Sequence, residues 1–292
     1  MRGRGTRLAI AAALLLLALV LGASWRFGSM AAAGHASAVD PVPPPAQAVR
    51  LKARDGVAIA GTWWPGRRPD APAVLLLHGV GASRDQTVPM AEALVAQGYA
   101  ALAIDLRGHG ESAITDHSYG LDEGLDARAA FDWLKARQHQ AKIGVIGVSL
   151  GGAAALVGRD GAVPADALVL VAVFPDIRHA IYNRMAAMLG SVGGTIGEPL
   201  LSFQSLPRYG VWPARIAPVT AIRDFRAPVF VIGGAEDRYT PPAETRALFA
   251  AAPNRKALWL VPGLDHGKVS NFHDEEWARR VGGFLRGTIG AA

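Results

Sequence analysis

The chain has 292 residues, 51% of them hydrophobic and 18% charged, enough apolar material for one large domain to bury its own core without staples. It contains no cysteine, which excludes disulfide frameworks, thiolate metal sites, cysteine nucleophiles and a lipid-modified N-terminal cysteine. The net charge of +6 falls to +2 once Arg2, Arg4, Arg7 and Arg26 are set aside, and no basic cluster follows them, so the pattern speaks against a nucleic-acid surface.

Those arginines frame the first element. Residues 8–25 carry no charge and are mostly Ala, Leu, Ile and Val, without the polar face that a core helix of a soluble domain would keep. Eighteen residues lie at the lower edge of what spans a bilayer. Residues 1–28 therefore read as a signal anchor or a signal peptide. The Arg-rich start stays in the cytoplasm and sends the rest outward. The expected location is the inner (plasma) membrane with an extracytoplasmic domain, or the periplasm or medium if the segment is cleaved. Small residues at 22–24 could serve a signal peptidase, whereas those at 36–38 lie far from the apolar run. Span length favours the uncleaved anchor, which makes the membrane a partner through the N-terminal helix. Residues 29–48, ending in DPVPPPAQA, read as a Pro-rich extended linker.

Next, residues 49–53 and 57–63 flank Asp55-Gly56 in the manner of an antiparallel hairpin. Near-continuous apolar runs follow at 73–77, 100–104, 143–148, 167–174, 229–232 and 257–261, as a sheet covered on both faces requires. Helical patterns fill the intervals at 88–97, 121–138, 150–158, 242–251 and 274–285. The alternation predicts an α/β fold with eight strands. Residues 175–226 break the rhythm: about fifty residues are too many for a simple crossover, and an inserted helical cap is expected.

One motif carries chemistry. Gly147-Val148-Ser149-Leu150-Gly151, followed by Gly152, joins a buried run to an Ala-rich helix. A sharp strand-to-helix turn would lift the Ser149 hydroxyl above the sheet, so the elbow residues Gly147 and Gly151 must be small. The helix opening at Leu150 would add its dipole and a free N–H.

At this point the chain resembles the α/β-hydrolase family, over residues 49–290. His78-Gly79-Val80-Gly81 looks like the family's oxyanion loop, and DLRGHGES at 105–112 like the run after its fourth strand. Asp237 in GGAEDRYTPP and His266 in PGLDHG stand where the family keeps its acid and its base, in the chain order Ser, Asp, His. The resemblance implies an α/β-hydrolase fold with an eight-stranded, mostly parallel sheet flanked by helices in residues 49–292, the cap insertion occupying 175–226. It also implies Ser149 as nucleophile, His266 as base and then acid, Asp237 as the group that orients His266, and the N–H groups of Val80 and Leu150 as an oxyanion hole.

Other residues could compete for these roles. His273 stands beside Asp274 and Glu275 at a helix start, His78 shapes its own loop, His109 bonds locally, Glu236 is a neighbour of the acid, and Asp265 is solvated. No His/Asp/Glu cluster has metal-ligand spacing and GVSLGG lacks the lysine of a phosphate loop, so neither a metal nor a cofactor is expected.

The nearest branch of the family holds small esterases, monoacylglycerol lipases and serine aminopeptidases, which implies a small-molecule ester substrate. An aminopeptidase-type serine peptidase, a non-catalytic binding protein on the same fold, and an acyltransferase or cofactor-free haloperoxidase remain alternatives. Within the insertion, Met185, Met188 and Leu189 share helical spacing and are candidate substrate-binding residues, although such a face can equally pack on the domain. Asp176, Glu198 and Asp224 are the only acids there and are scattered, which favours apolar acyl esters of small to medium size over peptides with a free amine. The oligomeric state is not legible.

Overall fold

The computed structural model describes residues 2–139, 141–253 and 255–290. Its centre is an eight-stranded sheet in the order β1-β2-β4-β3-β5-β6-β7-β8. A hairpin of β1 (Gln47–Lys52) and β2 (Ala58–Trp64) lies antiparallel along β4 (Ala100–Ile104). The remaining strands run parallel to β4: β3 (Ala73–Leu77), β5 (Ile143–Val148), β6 (Ala167–Val171), β7 (Val229–Gly234) and β8 (Lys256–Val261).

Successive strand residues point to opposite faces, so each inner strand divides its apolar side chains between two cores. Leu75, Leu102 and Val145 face one core, with Leu125, Phe131 and Leu134 of α3 (Glu123–Arg137) and the small residues of α4 (Leu150–Val157). Leu76, Ala103 and Ile146 face the other, with Met90 and Leu94 of α2 (Val88–Ala96) and with α10 (Glu275–Thr288). The last helix shows how sequence dictates this arrangement. Trp277, Val281 and Leu285 recur every four residues and are fully buried, while the Asp274 carboxylate accepts the Trp277 N–H and caps the helix. Each such side chain contributes about 1.5–3 kcal/mol by leaving water.

Strand β6 ends at Val171, short of the expected 174, because Ala172 turns the chain at φ 52. Between β6 and β7 the chain is helical, comprising α5 (Ile177–Ser202), α6 (Ser205–Tyr209), α7 (Pro218–Ala221) and two single turns. Asp176 caps α5 by accepting the His179 N–H, and Gly190, at φ 74, interrupts its helical path. After β7 come α8 (Pro242–Ala251) and, beyond β8, the short α9 (His266–Ser270).

Helix α1 (Arg2–Ala32) runs past the expected boundary at residue 28. Its span Gly5–Ala32 is the one helix among the described residues that is long and apolar enough to cross a membrane. The following segment lies against the domain: the N–H groups of His35 and Ser37 donate to the carbonyls of Gly108 and Gly110, and Ala32 O accepts from His117 N–H at 2.6 Å. Gly34 permits this approach, since a Cβ there would fall 2.1 Å from Thr115 O.

Candidate active site

Ser149 closes β5 and opens α4 at φ 47 and ψ −107, a backbone conformation that an L side chain adopts only under constraint. Two hydrogen bonds impose it: Ser149 N–H donates to Val171 O at 2.8 Å, and Ala153 N–H donates to Ser149 O at 3.1 Å. The elbow needs its glycines, because a Cβ on Gly147 would meet Gly152 Cα at 2.5 Å and one on Gly151 would meet Leu77 O at 2.3 Å.

The loop after β3 lies beside the serine, with a Cβ at Gly79 falling 3.6 Å from Ser149 Cβ. Gln86 Oε1 accepts the Gly79 N–H at 2.7 Å and His109 Nε2 accepts the Gly81 N–H at 3.1 Å. Between them, the Val80 N–H pairs with no other group among the described residues. Leu150 is the first residue of α4, a position whose N–H has no intrahelical acceptor. These two donors are therefore available to an external oxygen.

A histidine stack supports the loop. His78 Nδ1 donates to Gly79 O at 2.7 Å and its Nε2 accepts from Leu106 N–H at 3.0 Å, a pairing only the neutral ring can make. Burial, aided by His109, pushes its pKa down to about 3. His109 stands edge-on to His78 and stacks on His117 with ring centres 4.2 Å apart. Burial likewise depresses His109, and with the neighbouring His109 it takes His117 to about 4.

Asp237 follows β7 and is buried. Its Oδ1 accepts the N–H groups of Tyr239 and Thr240, each at 2.8 Å, and its Oδ2 accepts Thr240 Oγ1 at 2.5 Å and His266 Nδ1 at 2.8 Å. Burial is the largest influence on this carboxyl and raises it. The hydrogen bond and charge of His266, with the Thr240 donors, outweigh burial and hold it below the usual carboxylate range. His266 begins α9, whose N-terminus Asp265 caps by accepting the Lys268 N–H at 2.9 Å. Tyr239 packs edge-on to the imidazole at 5.5 Å. With Nδ1 donating to Asp237, the neutral ring presents Nε2 as a proton acceptor.

The structure thus pairs His266 with Asp237, while no hydrogen bond joins Ser149 Oγ to either residue among the described residues. His273 is exposed and bonds only Asn271 O, and Glu236 is exposed. Thr240 and Gln86 escaped the sequence reading. The nearby Asp-x-x-Thr spacing could have revealed Thr240, but nothing local ties Gln86 to Gly79.

A cavity of about 280 Å³ opens on Ser149, Leu150 and Val80. Phe174, Ile177, Ile181, Met185 and Met188 line it from the β6–β7 insertion. Leu189, immediately before the break at Gly190, does not. The charged residues on the lining are Arg184 and Arg208, both cationic. Arg184 lies over the Tyr239 ring at 5.2 Å, and burial lowers its pKa from the ordinary arginine value.

Residues 68–205 match the serine aminopeptidase S33 family (Hydrolase_4). Over 237 residues the chain is 30% identical to the uncharacterized protein Rv2307c of Mycobacterium tuberculosis, an alignment covering 80% of this chain and 77% of that one. Lysophosphatidylserine lipase ABHD12 of Rattus norvegicus is 37% identical over 114 residues, which are 37% of this chain and 28% of the relative. The esterase Pf2001 of Pyrococcus furiosus superposes with a TM-score of 0.69 at 23% identity, over 88% of this chain and 99% of its own. The chain belongs to the α/β-hydrolase family of serine hydrolases. Its relatives support a hydrolase and, in general terms, ester hydrolysis.

Proposed function

We propose that the protein is a serine esterase in which Ser149, His266 and Asp237 act as a triad on carboxylic esters with small to medium apolar acyl groups. The observation that carries this reading is the cavity at Ser149, whose lining is mainly apolar, whose charged residues are Arg184 and Arg208, and which has no carboxylate on its wall among the described residues. A serine aminopeptidase must hold a substrate ammonium. Here Arg184 and Arg208 would repel one, while an uncharged acyl chain gains about 0.8 kcal/mol per methylene buried against Ile177, Ile181, Met185 and Met188.

In the reaction, Ser149 Oγ attacks the ester carbonyl as its proton passes to His266 Nε2. Asp237 stabilises the resulting imidazolium, and the carbonyl oxygen, now negative, lies against the N–H groups of Val80 and Leu150. Collapse expels the alkoxide, which takes the proton from His266, and leaves Ser149 acylated. Water, deprotonated by His266, then releases the acid and restores the hydroxyl. Hydrogen bonds between nucleophile and base tighten in the substrate complex, which accords with the unpaired Ser149 hydroxyl.

For the full-length chain in detergent, kcat/KM across p-nitrophenyl esters should climb from acetate towards butyrate or hexanoate. Faster cleavage of an amino-acid p-nitroanilide than of every ester would move the protein to the peptidase branch.

A further inference from the structure

Helix α1 divides into two parts. Its N-terminal stretch is apolar and exposed, Leu14, Leu15 and Leu16 being each more than 60% accessible. Its last two turns are docked on the insertion. Ser24 Oγ donates to Leu200 O at 2.9 Å, and Gln204 Nε2 donates to Ser24 O at 3.0 Å and to Ser24 Oγ at 2.9 Å. Arg208 Nη2 donates to Trp25 O at 2.9 Å and to Ser29 Oγ at 2.8 Å, and its guanidinium lies 3.9 Å from the centre of the Trp25 ring. Gly28 faces Gln204 so closely that a Cβ would fall 2.1 Å from Gln204 Oε1. An anchor that served only as a tether would need none of these contacts.

The same turns carry Phe27, Gly28 and Ala31 at helical spacing, on one face, and all three line the cavity that opens on Ser149. Substrate space is therefore enclosed by the domain, by the β6–β7 insertion and by α1 together. We propose that the last two turns of α1 form one wall of the acyl pocket, with Phe27 setting how long an acyl chain it accepts, so that membrane anchor and substrate selection are a single element. The proposal rests on the esterase reading above. It also makes proteolytic release at 36–38 incompatible with an intact pocket, since that cut would remove Phe27, Gly28 and Ala31.

The test uses the full-length chain in lipid nanodiscs and p-nitrophenyl esters from acetate to decanoate, with Phe27→Ala and Phe27→Trp. Phe27→Ala should move the preferred chain length upwards, with kcat/KM for longer esters rising relative to butyrate by about fourfold for each methylene newly accommodated. Phe27→Trp should move it downwards. Trp25→Ala, which frees the Arg208 end of the docked turns, should flatten the profile, and Leu15→Ala should leave it as it was. A preferred length that stays put in both Phe27 variants, or shifts the same way in both, overturns the proposal. Loss of all Ser149-dependent ester cleavage in the unmodified chain would instead overturn the esterase reading itself.

Discussion

Thr240 illustrates how much of the site's chemistry sits one step from the reacting atoms. It gives Asp237 both a hydroxyl and an N–H donor, fixing the carboxylate edge that faces His266 Nδ1. A carboxylate so held stabilises the charged imidazole without taking its proton. Removing Ser149 or His266 as alanine should therefore lower kcat/KM on an ester by on the order of 10⁴-fold or more, because such residues act as a unit. Asp237→Asn should cost less and His273→Ala little, since His273 is turned to solvent. Initial-rate kinetics on purified variants check this ordering, and a severe His273→Ala with a mild His266→Ala would reverse the assignment of the base. The sharp turn at Ser149 and the pairing of Asp237 with His266 could be expected from sequence because each residue sits in a short motif whose shape the backbone requires. Thr240 and Gln86 act through a turn and across a loop, and Leu189 depends on the break at Gly190, so spacing alone did not settle them.

At the scale of elements, the loop 78–81 depends on neutral imidazoles. His117 is buried, its Nδ1 has no partner among the described residues, and burial with the neighbouring His109 pushes its pKa down to about 4 from the ordinary 6.5. The unfolded chain takes up a proton on this residue first. The stability it allows is complete above about pH 6.5 and is lost as pH falls through about 4, at roughly 1.4 kcal/mol per pH unit for one histidine. His117→Phe keeps the stack on His109 and should flatten the fall by that amount in urea unfolding at stepped pH. An unchanged slope would mean that His117 is protonated in the folded chain. The strands were readable because buried runs between turn residues have few alternatives. The end of β6 was not, since an ordinary Ala172 makes the turn. The docking of α1 was hidden because Ser24 and Ser29 find their partners in the insertion, far along the chain, where no local pattern ties them together.

The whole molecule joins an apolar helix, a cap-like insertion and a hydrolase sheet around one cavity. Arg2, Arg4 and Arg7 precede the apolar span of α1, and from this charge asymmetry we propose a cytoplasmic N-terminus with the domain on the other side of the membrane. A C-terminal alkaline phosphatase fusion should then be active, and an inactive fusion with an active cytoplasmic reporter would contradict that orientation. On the proposal made above, Ser149 is the nucleophile of a working acyl hydrolase. The most direct test is reaction of the full-length chain with a fluorophosphonate, followed by peptide mass mapping. One adduct is expected, on Ser149, that disappears in Ser149→Ala and nearly disappears in His266→Ala. No adduct on the unmodified protein, or an adduct on another residue that survives in Ser149→Ala, would contradict it.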